Sequence, residues 1–133
     1  MQVNPYIYFN GRCEEAVEYY QQTLDAEVVL LTRNKDVPGA HAPAGAEEKI
    51  LHVELRIGQS RVMASDGENS GTTEFKGIAL ALTVDDDAEA KSRFDALADG
   101  GAVTVPLMPT PFSSSFGMVA DRFGILWMVS VGK

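Results

Sequence analysis

Few residues in this chain carry reactive chemistry. Its 133 positions hold two histidines, His41 and His52, and a single cysteine, Cys13. His52 lies in the run LHVELRI, where it alternates with apolar neighbours. In an extended strand successive side chains point to opposite faces, so His52, Glu54 and Arg56 share one face and Leu51, Val53, Leu55 and Ile57 the other. An imidazole two positions from a carboxylate suits acid–base work, because histidine titrates nearest to neutral pH. The same pair offers two ligands to one ion, but a catalytic metal site needs at least three, and no third stands out. The other reading is a hydrogen-bonded set of polar groups on a solvated or dimer-facing strand surface. Residue types alone leave both open.

The remaining reactive groups have plainer readings. Cys13 precedes a helix, where a thiol pKa can fall, but no partner base is visible and a structural role fits it. Asp85, Asp86 and Asp87 make a carboxylate cluster at another helix start, where acids suit the helix dipole without a metal. Ser113, Ser114 and Ser115 lack the G-x-S-x-G frame of a nucleophile. Tyr19, Tyr20 and Trp127 stand at core spacing.

The elements that must position these groups follow a simple order. Residues 4–10 (NPYIYFN) predict a strand, 14–24 (EEAVEYYQQTL) a helix with Val17, Tyr20, Gln21 and Leu24 on one stripe, and 27–32 (EVVLLT) a second strand. Residues 33–48, rich in proline, glycine and alanine, read as a mobile loop able to serve as a lid. Residues 49–57 and 61–65 flank Gly58-Gln59-Ser60 as a hairpin, and the polar stretch 66–74 (DGENSGTTE) reads as a linker. The order then recurs. Residues 77–84 predict a strand, 88–98 a helix with Ala90, Phe94 and Leu97 inward and Gly100-Gly101 as its stop, and 102–107, 117–120 and 125–131 three strands. Each half reads βαβββ, with Tyr20 and Phe94 marking a repeat of about 74 residues. We expect one domain over 1–133, with module 1 near 1–66, a linker at 67–75 and module 2 near 76–133.

Composition narrows the class of function. The fractions, 45% hydrophobic and 23% charged, are those of an ordinary globular protein. Eleven basic against nineteen acidic side chains leave a net charge of −8, which repels nucleic acid and anionic lipid. The longest apolar runs are strand-sized, and no basic segment leads into an apolar one at the N-terminus, so we expect neither membrane span nor signal peptide. A lone cysteine fits a reducing cytoplasm.

The stretches NPYIYFNGRCEEAVEYYQQTL, HVELRIGQSRVMASDG and FGMVADRFGILWMVSV together resemble the PhnB-like subgroup of the vicinal oxygen chelate superfamily, which includes glyoxalase I, bleomycin resistance proteins and extradiol dioxygenases. The resemblance covers nearly the whole chain. It implies an α+β fold of two βαβββ modules whose strands curl into a cup, and a homodimer. Two positions depart from the subgroup: Asp25 stands where many relatives place glycine, and Phe112 where close relatives often carry tryptophan. Members have often been labelled demethylubiquinone methyltransferases. The residues do not support that activity, since a doubly wound methyltransferase needs a glycine-rich turn after its first strand and a longer sheet.

Superfamily enzymes hold a divalent metal at four equivalent points, which the resemblance carries onto Pro5, Ala64, Ala79 and Met128. None is His, Asp or Glu, and a methionine thioether is too soft a donor for such a site. We therefore expect no metal and no cofactor. The resemblance also implies a concave ligand site, for which Ile7, Phe9, His52, Glu54, Arg56, Asp66, Phe112 and Met128 are candidate lining residues. Register decides part of this. A three-residue turn at Gly58-Gln59-Ser60 sets Glu54 opposite Ala64, whereas a two-residue turn sets Val53 there. The expected function is binding of a small organic molecule without metal chemistry. A lyase or isomerase with His52 or Glu54 as general base, a metal-dependent glyoxalase- or dioxygenase-like enzyme, and a ligand-free interaction subunit are the alternatives.

Overall fold

Tyr6, Ile7 and Tyr8 form β1 (Tyr6–Tyr8), a strand cut short because Asn10 and Gly11 turn the chain with positive φ. The structure, a computed structural model, describes residues 1–39, 44–68 and 71–132. Helix α1 (Cys13–Leu24) follows, with Glu14 and Glu15 in its first turn, where negative charge is favoured. It ends at Asp25, which adopts the left-handed conformation at φ 53°, so an aspartate does there what glycine commonly does. Val17, Tyr20 and Leu24 are buried as expected, but Gln21 is exposed, and the buried face turns instead toward Cys13, Ala16 and Tyr19.

Three further strands complete the first unit: β2 (Glu27–Arg33), β3 (Ile50–Ile57) and β4 (Ser60–Ser65). The sheet order is β1-β4-β3-β2, with β1 parallel to β4 and the other pairs antiparallel. Ile7, Val53, Leu55 and Ala64 are buried with the inner face of α1. Phe9, just past β1, meets Tyr20 of the helix with ring centroids 6.2 Å apart. The described part of the 33–48 stretch is anchored rather than bare. Asn34–Asp36 makes one 3-10 turn, the Asn34 side-chain amide donates to the Ala46 carbonyl at 2.9 Å, and the Arg33 guanidinium donates to Glu14 and to the Glu48 carbonyl.

The second unit repeats the pattern with β5 (Leu80–Val84), α2 (Asp87–Ala98), β6 (Ala102–Thr110), β7 (Ser113–Ala120) and β8 (Leu126–Val131), in sheet order β5-β8-β7-β6. Asp86 caps α2 by accepting the Glu89 backbone N–H at 2.8 Å, and Asp87 accepts the hydroxyls of Ser114 and Ser115. The aspartate run is thus helix capping and local tethering. Strand β6 runs past its expected end at Leu107 despite Pro106 and Pro109. It is an edge strand with three register shifts, and an edge tolerates proline because one row of its backbone groups needs no partner.

Ala90, Phe94 and Leu97 are the buried residues of α2, and Val119, Trp127 and Val129 are buried in its unit's sheet. Gly117 allows the close approach, since a Cβ there would lie 2.7 Å from Phe94 Cε2. Between β7 and β8 the buried Asp121 accepts the backbone N–H groups of Phe123 and Ile125 and the Trp127 indole N–H, which fixes the turn containing Gly124.

Candidate functional site

The first unit's sheet has one face against α1 and one face open, and the hairpin register decides what the open face shows. Ile57 pairs with Ser60, so the β3–β4 turn is the two-residue Gly58-Gln59. Val53 therefore lies opposite Ala64, and Glu54 opposite Met63. Ala64 is only 1% exposed, on the helix side. The β3 alternation holds from His52 to Ile57, but the pairing slips between Thr32 and Arg33, which buries Ile50 and leaves Leu51 exposed.

His52, Glu54 and Arg56 share the open face with Met63, Ser65, Tyr6 and Tyr8. Tyr6 and His52 stand two strands apart, and Ser65 between them is small enough for the phenol to reach across. The Tyr6 hydroxyl lies 2.9 Å from His52 Nδ1, and the two ring centroids are 5.5 Å apart. Tyr8 extends the row, 5.2 Å from Tyr6 between centroids. Burial raises the Tyr6 phenol above its ordinary pKa, Tyr8 and Cys13 add to the rise, and a hydrogen bond with Ser65 opposes it. The charged residues pair off: Arg61 Nε reaches Glu54 Oε2 at 3.2 Å, and Arg56 pairs with Glu27 across the β2–β3 ladder. Leu30, opposite Glu54, adds apolar surface at 52% exposure. This face offers one imidazole, two phenols and apolar rims, with its neighbouring charges compensated.

Several expected lining residues stand elsewhere. Ile7 and Phe9 are buried on the helix side, and Tyr6 and Tyr8 take the open face in their place. YIYF is apolar or aromatic at every position, so alternation alone could not choose. Asp66 is 2% exposed and structural: Oδ1 accepts the Cys13 backbone N–H at 2.8 Å and Oδ2 that of Ile50 at 2.6 Å, tying the start of α1 to the start of β3. In the second unit, Phe112 forms the tight turn between β6 and β7 with Pro111, exposed and edge-on to Phe116 at 5.2 Å. Met128 is half-buried on the sheet face opposite Trp127 and Val129, paired with Ala81 and Met118. Tyr6, Tyr8, Arg61, Met63 and Ser65 also lie on the first unit's open face, which the expected lining did not include. The Tyr-x-Tyr spacing before a Gly-containing turn was the signal for the first two.

Cys13 is fully buried, and burial, with the charges of Asp66 and Glu14 adding to it, pushes its thiol pKa up. The structural role expected of Cys13 fits this burial. His41 lies outside the described residues. Of the four positions onto which the resemblance carried the metal points, Ala64 is buried on the helix side, away from His52 and Glu54, so the expected correspondence does not hold there. Among the described residues no group of three or more His, Cys, Asp or Glu is placed to hold a metal ion. No helix among them is long and apolar enough to cross a membrane.

Paired βαβββ units with these mixed four-stranded sheets define the glyoxalase/bleomycin resistance fold. A glyoxylase/bleomycin resistance protein/dioxygenase domain from Frankia sp. EAN1pec shares it at TM-score 0.64 and 16% identity, over 100% of this chain and 98% of that one. Residues 1–130 match the family model described as 3-demethylubiquinone-9 3-methyltransferase, and the chain belongs to that PhnB-like family. Protein YjdN of Escherichia coli (strain K12) is 34% identical over all of this chain and 97% of its own length. Among solved structures, protein PA1353 from Pseudomonas aeruginosa is 42% identical with TM-score 0.85, covering 98% of this chain and 97% of that one. A putative 3-demethylubiquinone-9 3-methyltransferase, PhnB protein, from Bacillus cereus is 26% identical with TM-score 0.81, covering 99% and 100%.

Proposed function

We propose that this protein binds a small organic molecule on the open face of its first sheet, without the metal chemistry of its superfamily's enzymes. The carrying observation is the Tyr6–His52 hydrogen bond at 2.9 Å, beside a Tyr8 that is 57% exposed. Placed polar groups beside aromatic and apolar side chains are what small-molecule sites commonly present. Glu54 and Arg56 contribute as orienting groups held by Arg61 and Glu27. The family description names a methyltransferase, but neither sheet is the doubly wound parallel type that such enzymes commonly use, so we do not assign that activity. The test is backbone amide NMR during a screen of small organic compounds. Shifts clustering on β1, β3 and β4 support the reading; hits that map only elsewhere, or no hit at millimolar concentration, refute it.

A second reading is an isomerase or lyase with His52 as general base, which requires the opposite tautomer, Nδ1–H donating to the Tyr6 hydroxyl and Nε2 free to accept a proton. Glu54, committed to Arg61, is the less available base. His52→Gln would abolish turnover in that case while leaving binding measurable. The proposal extends to a cytoplasmic homodimer, in line with two-fold pairing as the commonest solution for oligomers and with an unbridged thiol. Sedimentation showing only monomer at micromolar concentration would remove the dimer.

A further inference from the structure

Three rings stand in a row on the open face of the first unit: Tyr8, Tyr6 and His52, with centroid spacings of 5.2 and 5.5 Å and mutual tilts of 39° and 31°. Tyr6 and Tyr8 are two apart on one short strand, so both rise from the same side of the sheet. Aromatic rings attract one another in offset or tilted arrangements at such spacings, and a ring with an exposed face can accept one more partner. Tyr8 is the most exposed of the set. Met63, paired with Tyr6 in the sheet, adds a polarisable thioether, which contacts ring edges favourably.

The electrostatics narrow the ligand further. Glu27 pairs with Arg56 and Glu54 with Arg61, so the charges of this face are matched in sign. A charged ligand would have to compete with the partner that each of these groups already has. The polar feature at the row's end is the Tyr6–His52 pair. A phenol is protonated at neutral pH and can donate to an imidazole nitrogen. We assign Tyr6 as donor to Nδ1, which leaves the Nε2–H of His52 as a donor toward the ligand.

We infer that the ligand class of this face is a flat, uncharged aromatic molecule with a hydrogen-bond-accepting atom at its rim, stacked on Tyr8 and Tyr6 and oriented by His52. This rests on the small-molecule reading above and specifies it. The test compares 2-naphthol with decahydro-2-naphthol, its saturated counterpart, and with the anionic 2-naphthoate. Titrations follow naphthyl fluorescence for the aromatic probes and amide NMR for all three. The aromatic alcohol is expected to bind about tenfold more tightly than the saturated one, the scale of one or two aromatic contacts. Tyr8→Leu should remove most of that preference, while Tyr8→Phe retains it; an exposed position admits both changes without opening the core. Equal affinity of the two alcohols on this face overturns the aromatic class but leaves the small-molecule reading standing. Tighter binding of 2-naphthoate overturns the uncharged class. Binding of none of the three up to their solubility overturns the inference, and failure of the wider screen as well overturns the reading beneath it.

Discussion

Replacing Asp66 by asparagine tests whether this carboxylate is a structural clamp. Its two oxygens accept backbone N–H groups from Cys13 and Ile50, and it is almost wholly buried. Asparagine keeps one carbonyl oxygen, so one N–H retains an acceptor while the other faces an amide that can only donate. A hydrogen bond to a charged group contributes about 1.5–3 kcal/mol, and a buried donor left unmatched costs a further desolvation penalty. The expected loss is about 2–4 kcal/mol, a large part of the roughly 5–15 kcal/mol that holds a domain folded. For a chain of this length the melting temperature should fall by roughly 10 °C. Urea denaturation followed by far-UV circular dichroism reads the loss, with amide exchange at Cys13 and Ile50 to localise it. Asp95→Asn is the control, because its pair with Lys91 is solvent-exposed and such pairs contribute little. Asp66→Asn within about 0.5 kcal/mol of the wild type, an ordinary surface effect, would refute the clamp.

Other outcomes follow from the same structure. Native Cys13 should react with a disulfide reagent only as fast as the protein opens, because its thiol is buried and its pKa raised; rapid stoichiometric labelling of folded protein would contradict this. Gly101→Ala should destabilise by about 1–3 kcal/mol in thermal melts, since its Cβ would lie 2.0 Å from the Ala120 carbonyl oxygen. Arg33 grips Glu14 through two hydrogen bonds at 3.0 and 2.8 Å and lowers its pKa. A carboxyl lowered on folding adds stability above its unfolded pKa and loses it as pH falls through the folded value. Glu14→Gln should therefore flatten the acid limb of stability against pH by well under 1 kcal/mol, as suits an exposed pair. Elemental analysis of the purified protein should find no stoichiometric Zn²⁺, Ni²⁺, Mn²⁺ or Fe²⁺; about one ion per chain, lost on His52→Ala, would promote a metalloenzyme instead.

The βαβββ order was legible because each element carried its own physical mark: β-branched runs in the strands, acids at the helix starts, and Asp25 or glycine at the ends. Inward residues of α2 could be read off directly, since Ala90, Phe94 and Leu97 are the apolar residues at helical spacing there. The candidate site was harder to read, for three local reasons. A strand apolar on both sides hides its facing, which exchanged Ile7 and Phe9 for Tyr6 and Tyr8. One residue more or less in the Gly58-Gln59 turn reverses every partner of β3, and the turn length is not written in its composition. Asp66 looked like a site acid because nothing in a linear sequence tells that two N–H groups distant along the chain converge on it.

In each unit the opening strand pairs in parallel with the closing one, Tyr6 with Met63 and Leu80 with Trp127. A growing chain therefore cannot seal either sheet until that unit's last strand has been made. During synthesis β1 waits, with its tyrosines uncovered, through a helix and two strands before its partner arrives. Parallel closure over such a span is slow compared with hairpin formation, so the β3–β4 hairpin should form early and act as the template on which β1 is later added. All pairing partners of the first unit lie between residues 6 and 65, so every one of its strands is made before the second unit's first strand. In each unit the parallel edge is therefore the last pairing that the order of synthesis allows, and its opening strand is the one left longest without a partner.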